Sequence, residues 1–185
     1  MKRLLAFFLA AALTLTSAAG LHFLAERRVY ADGNAFASWS GDGKFPAREA
    51  ILKNLDENTV LTFGSSEFQY GVKTPYHPGK IFKDTKFHMM LIGAGYYQSL
   101  SHAITLASLG EHAKTKEAVL FLSPQWFRKA GVQPEAFTSR FSESHYIAML
   151  KNNHLRKNVK DYMIKRSHEL LRVDPAARER ADLYN

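Results

Sequence analysis

Cysteine is absent from all 185 residues. That removes disulfides, thiolate metal sites, thioredoxin-type redox chemistry and cysteine nucleophiles together. No internal repeat and no low-complexity tract is present, and 46% hydrophobic with 12% aromatic residues is the composition of a packed core, so disorder is excluded as a description of the whole. None of the 8 histidines falls in a His-Glu-x-x-His zinc spacing. The pair Gly93-x-Gly95 lacks the third glycine of a dinucleotide fingerprint, that position being Gln98. Neither a metal nor a cofactor is therefore expected. Acids are in the minority: 25 Lys and Arg against 17 Asp and Glu leave +8. A 20.9 kDa chain of this kind makes one ordinary domain, and its basic balance suits an anionic partner such as nucleic acid, a lipid headgroup or a polyanionic polymer.

The N-terminus narrows that choice. Lys2 and Arg3 precede a run from Leu4 to Leu15 broken only by Thr14, and no charge occurs from Leu4 to Ala25. A helix over Leu4 to Ala25 is about 33 Å long, against a hydrocarbon core of about 30 Å. Two readings fit. Ser17-Ala18-Ala19 before Gly20 resembles the small-residue end of a cleaved secretory signal; alternatively the segment is a retained single-span anchor, flanked beyond by Arg27 and Arg28. Either way the remaining chain is expected outside the cytoplasm, attached to the cell membrane by a single pass if the segment is kept. Membrane lipids thus become expected partners, and nucleic acid does not. Residues 1–30 carry +3 and residues 151–185 carry +4. The second excess reads as a solvated helix face, or as a patch beside an anionic membrane or polymer.

Residues 1–25 are thus an anchor or signal segment, 26–46 a linker rich in Gly, Ser, Asp and Asn from Ala31 onward, and 47–185 the folded domain. Ala47 to Leu55 suits a short helix. Three nearly continuous apolar runs follow, Thr59 to Phe63, Phe87 to Ile92 and Ala118 to Leu122, as expected of strands buried on both faces. Between the last two, Leu100, Ile104, Ala107 and Leu109 recur at helical spacing within Gln98 to Ala113. Strand, helix, strand predicts an α/β fold with a parallel sheet and right-handed crossovers. Ser139 to Leu171 reads as one or two helices, with Asp174-Pro175 breaking the run.

Ligands of open parallel sheets bind beyond the carboxyl ends of the strands. The residues there are Gly64-Ser65-Ser66-Glu67, then Gly93-Ala94-Gly95-Tyr96-Tyr97-Gln98, then Ser123-Pro124-Gln125-Trp126. A serine, a glycine turn and a side-chain amide at one sheet edge are the parts of a serine nucleophile with an oxyanion hole. Backbone N–H groups of Gly93 or Gly95 can approach an oxyanion because no side chain intervenes. Each element alone has a plainer use: a serine after a strand caps a helix, and Gly-x-Gly makes a tight turn. Their shared edge is what favours chemistry.

These stretches, with Tyr76-His77-Pro78-Gly79 and Leu122-Ser123-Pro124-Gln125-Trp126-Phe127, resemble the DltD family in order and spacing over residues 60–130. That family works in D-alanylation of lipoteichoic acid in Gram-positive bacteria. The resemblance implies an SGNH-hydrolase-like parallel sheet flanked by helices, a membrane anchor, and as partners lipoteichoic acid, the membrane acyltransferase DltB and the D-alanyl carrier protein DltC. Matching the SGNH register implies Ser66 as nucleophile with Ser65 as backup, Gly93 or Gly95 as backbone donor, and Gln125 in place of the usual third-block Asn. Gln98, Trp126 and His77 are the implied substrate contacts, although a structural loop role is the favoured reading of His77. The family's distal base has no counterpart: no Asp-x-x-His or Glu-x-x-His occurs here. The expectation is therefore an N-terminal piece of an SGNH-like domain, incomplete toward the C-terminus, belonging to a serine acyltransferase-like component. The alternative is a non-catalytic, membrane-tethered accessory protein on a degenerate SGNH scaffold.

Overall fold

The computed structural model describes residues 2–29, 38–39, 47–68, 74–82, 84–115, 117–129 and 131–185. Helix α1 (Lys2–Val29) opens the chain with its apolar side chains outward. Its 28 residues make about 42 Å of helix at 1.5 Å per residue. The segment Lys2–Leu24 is long and apolar enough to cross a membrane, a test that a signal sequence also passes. Its hydroxyls are satisfied within the helix, Thr14 Oγ1 donating to Ala10 O and Thr16 Oγ1 to Ala12 O, as an apolar surrounding requires.

Four parallel strands form the sheet: β1 (Ser38–Trp39), β2 (Thr59–Phe63), β3 (His88–Ile92) and β4 (Ala118–Leu120), in the order β1-β3-β2-β4. The expected α/β architecture is thus present, with one addition: β1 lies inside the stretch read as linker, while the rest of 30–46 falls outside the described residues. Register aligns Trp39, Phe63 and Leu120 with Ile92 or its neighbours, so the strands end together at one edge. From β2 the chain crosses through α3 (Pro78–Ile81) to β3, then back past β2 through α4 (Ser99–Leu109) to β4. The two connections diverge around β2, which leaves a crevice beyond its carboxyl end.

Alternation along the strands covers both faces of the sheet centre. Leu61, Phe63, Met90 and Ile92 pack with Ile51 and Leu55, from and just beyond α2 (Ala47–Lys53), and with Leu109 of α4. Met89 and Leu91 point the other way, toward Phe68. The third strand departs from expectation. Val119, Leu120, Phe121 and Leu122 are each at least two-fifths exposed, and β4 ends at Leu120. It is paired to β2 on one side, and among the described residues no strand lies beyond it.

Ser139 to Leu171 holds two helices, as expected, α6 (Glu143–Lys151) and α7 (Lys157–Leu170), preceded by α5 (Pro134–Arg140) and followed by α8 (Pro175–Asp182). Asp174-Pro175 breaks the run as expected and also opens the next helix, Asp174 Oδ1 accepting from Ala177 N–H at 3.0 Å. Proline is well placed at the first helical position, where its missing N–H costs nothing. Phe137, Tyr146, Met149, Leu170 and Leu171 bury this layer against the outer face of α4. Ser108 Oγ donates to Thr105 O at 2.6 Å and stands 2.6 Å from His145 Nδ1, which ties α4 to α6 inside the core.

Candidate functional site

Three turns meet beyond the carboxyl edge of the sheet around a cleft of about 540 Å³. The turn after β2 contributes Ser65 and Ser66, the turn after β3 contributes Gly95 through Gln98, and the turn after β4 contributes Gln125 and Trp126. Residues far apart in the chain are thus gathered as the strand ends dictate. Arg128 and Arg140 also line the cleft, with no carboxylate among its described lining residues. Two guanidiniums with several amides and hydroxyls suit an anionic or polyhydroxylated ligand.

The two serines differ in environment. Ser65 is buried; its Oγ donates to Ala94 O at 3.2 Å and its N–H to Glu67 Oε1 at 2.6 Å. Ser66 is half-buried and opens the short 3₁₀ turn Ser66–Phe68. Among the described residues nothing hydrogen-bonds its hydroxyl. Ser65 builds the turn, and Ser66 is the serine left open to the cleft.

Close backbone approach makes this turn possible. Gly64 N–H donates to Ile92 O at 3.1 Å, and Gly93 sits against the Gly64 peptide at φ +148°, where a Cβ would lie 2.7 Å from the Gly64 carbonyl carbon. Gly93 is buried in that contact and does not line the cleft, whereas Gly95 does. Tyr96, next to it, adopts φ 76°, a left-handed conformation uncommon for a residue with a side chain. Arg140 Nε donates to Gly95 O at 2.8 Å, and its guanidinium lies 5.7 Å from the Tyr97 ring centroid.

Beneath the cleft lies a ring cluster. His102 packs on Tyr97 (5.7 Å, 19° between planes), on Trp126 (5.9 Å) and on Phe63 (5.4 Å). No hydrogen bond of ordinary geometry reaches either ring nitrogen among the described residues. Burial pushes its pKa down to about 4, and the nearby Gly64 backbone acts in the opposite direction. Gln98, one helical turn earlier on the same face, has a buried Oε1 that is likewise unpartnered. His77 is buried elsewhere: its Nε2 lies 3.2 Å from Phe68 O, outside the residues lining the cleft. A separate cavity of about 510 Å³ lies at the far end of α4, lined by Arg48, Ser108 and Lys151 among others, and contains none of the residues singled out by the sequence.

A family model described as DltD protein matches residues 37–185. The chain belongs to the DltD family. Curated relatives agree: Protein DltD of Bacillus subtilis (strain 168) is 29% identical over 166 residues, covering 88% of this chain and 41% of that protein. Protein DltD of Lacticaseibacillus rhamnosus is 34% identical over 105 residues, covering 54% of this chain and 24% of the relative. Protein DltD of Staphylococcus aureus (strain NCTC 8325 / PS 47) is 29% identical over 100 residues, covering 53% and 25%. The chain thus spans less than half the length of these DltD relatives.

Arg128 and Arg140, which line the cleft of this DltD chain, and His102 beneath it escaped the sequence reading. Arg140 reaches Gly95 across 45 residues of chain, and no local spacing announces such a contact. His102 was legible in part, because Gln98 and His102 are separated by one helical turn immediately after the glycine turn.

Proposed function

We propose that the chain takes part in D-alanyl ester transfer to lipoteichoic acid in Gram-positive cell-wall biosynthesis, as a membrane-attached protein whose domain faces outward. One observation carries this reading: Ser66, with no hydrogen-bond partner for its hydroxyl among the described residues, opens onto a cleft whose charged residues, among those described, are both arginines. In this mechanism the Ser66 Oγ attacks the acyl carbonyl and its proton passes to a base. The Gly95 turn and the Gln125 amide hold the oxyanion, and the leaving group departs with the proton. A hydroxyl of the acceptor then repeats the attack on the acyl-serine and restores it. Arg128 and Arg140 suit the acceptor's phosphates; Gln98 and Trp126 contact the substrate. DltB and DltC are the proposed partners in delivering the acyl group.

Such chemistry needs an imidazole at the serine, since an unassisted hydroxyl is a weak nucleophile. Among the described residues no histidine lines the cleft, and the proposal places the base on an Asp-x-x-His segment outside these residues. The same observation favours the second reading, an accessory protein that holds donor and acceptor without covalent participation. The test is D-alanine ester content of cell-wall polymer in cells whose DltD protein carries Ser66→Ala. Loss of the esters, together with loss of fluorophosphonate labelling at that serine, supports the acyl-serine route. Wild-type ester content in both Ser66→Ala and Ser65→Ala removes it and leaves the accessory role.

A further inference from the structure

At the mouth of the cleft, the turn that carries Gln125 and Trp126 continues into an exposed aromatic and two exposed bases. Phe127 is 71% exposed, and Arg128 and Lys129 follow it on the surface. Across the opening, Tyr96 is 65% exposed at its left-handed φ. Between Glu117 and Glu135 the chain contains no acid. An apolar ring beside paired bases is the composition of a segment that settles into the headgroup layer of an anionic bilayer, with the ring at the acyl boundary and the bases at the phosphates. The rest of the chain makes such a surface available, because α1 is long and apolar enough to span one.

Tether length permits the contact. The nine residue steps from Val29 to Ser38 reach at most about 30 Å. Ser38 pairs with Leu91, one residue short of the end of β3, so this reach ends close to the carboxyl edge and lets that edge face the bilayer.

We infer that the turn Phe127–Lys129 rests on the surface of an anionic membrane and turns the mouth of the cleft toward it. The inference rests on the reading of α1 as a membrane anchor. Its ligand chemistry is the anionic lipid headgroup, and its consequence is that the cleft draws its substrate from the layer just above the bilayer.

The missing cysteines make the test direct. In the full chain, held in nanodiscs, single cysteines replace Phe127, Leu13 in α1 and Glu57 before β2, and each carries a nitroxide. At position 127 the nitroxide stands in for the exposed ring. Accessibility to dissolved oxygen against a water-soluble nickel chelate then reports depth. With phosphatidylglycerol present, the label at 127 is expected in the interfacial layer, and with phosphatidylcholine alone in water. Arg128→Gln with Lys129→Gln is expected to weaken the interfacial state by roughly 30-fold, about fivefold for each charge. The label at Glu57 is expected in water in both lipids. A label at 127 that stays in water in phosphatidylglycerol overturns the inference, as does one shielded from both probes, which means that protein covers the turn. The label at Leu13 decides the anchor reading by itself: lipid exposure there with water at 127 leaves the anchor standing and removes the docked turn.

Discussion

Arg140 Nε donates a 2.8 Å hydrogen bond to the carbonyl of Gly95, so a residue at the end of α5 holds the turn after β3. The bond fixes the Gly95 carbonyl and, with it, the opposite direction of the Tyr96 N–H. A charge-assisted, partly buried bond of this kind contributes about 1.5–3 kcal/mol. Arg140→Ala is expected to destabilise by about that much and to speed amide exchange at Tyr96 and Tyr97 more than in β3. Arg140→Lys should recover little, since a lysine lacks the planar fork. Unchanged exchange in that turn would show that Arg140 is not its support.

Gly93 and Gly64 admit no side chain between them. Gly93→Ala is expected to cost about 3 kcal/mol or more, from a Cβ driven into the Gly64 peptide at an unfavourable φ. Gly131→Ala supplies the comparison: φ is +62° but nothing lies within 4 Å of a Cβ, so only the left-handed cost of about 1–2 kcal/mol applies. Equal urea midpoints for the two variants contradict this assignment.

Ser65→Ala removes the bond to Ala94 O and should lower stability by about 1 kcal/mol. Ser66→Ala, which breaks no hydrogen bond, should stay within about 0.5 kcal/mol of the parent. Denaturant unfolding separates them without reference to activity. A larger loss in Ser66→Ala would reverse the division between building and reacting serine.

Two buried imidazoles are expected to make the fold acid-sensitive. His102 and His145 are each pushed from 6.5 down to about 4, both chiefly by burial, with the charge of Arg48 adding to the effect at His145. Between those values the unfolded chain binds protons that the folded chain refuses, so stability rises with pH. The contribution is complete above about 6.5 and shrinks as pH falls toward 4, by up to roughly 3 kcal/mol for each group. Melting temperature followed from pH 7 to pH 4 should fall accordingly, and His145→Gln should flatten part of the slope. A melting temperature independent of pH across that window would mean both rings reach solvent when protonated.

The centre of the sheet was legible because β2 and β3 are buried on both faces, and continuous apolar runs are what that position demands. The run at β4 has the same composition, yet its residues are half-exposed; composition reports the need for burial and not whether a neighbour fulfils it. The strand Ser38–Trp39 was missed because two residues carry no period. Asp174-Pro175 was legible as a break, and the cap on Ala177 N–H shows that the same pair also starts α8. At the site, the three turns were found because each follows a recognisable strand. Arg140 was not, since its partner is a carbonyl that belongs to no sequence pattern.

The two margins of the sheet are unlike. On one side, among the described residues, Ser38 and Trp39 of β1 pair with β3. On the other, β4 offers an apolar strand whose ladder toward β2 is complete, Phe121 N–H donating to Phe63 O at 2.8 Å just past its end. The apolar side chains of Val119 to Leu122 stay exposed at the β4 margin, and a strand added there would lie beside the turn that carries Gln125 and Trp126. What joins there also becomes a wall of the cleft.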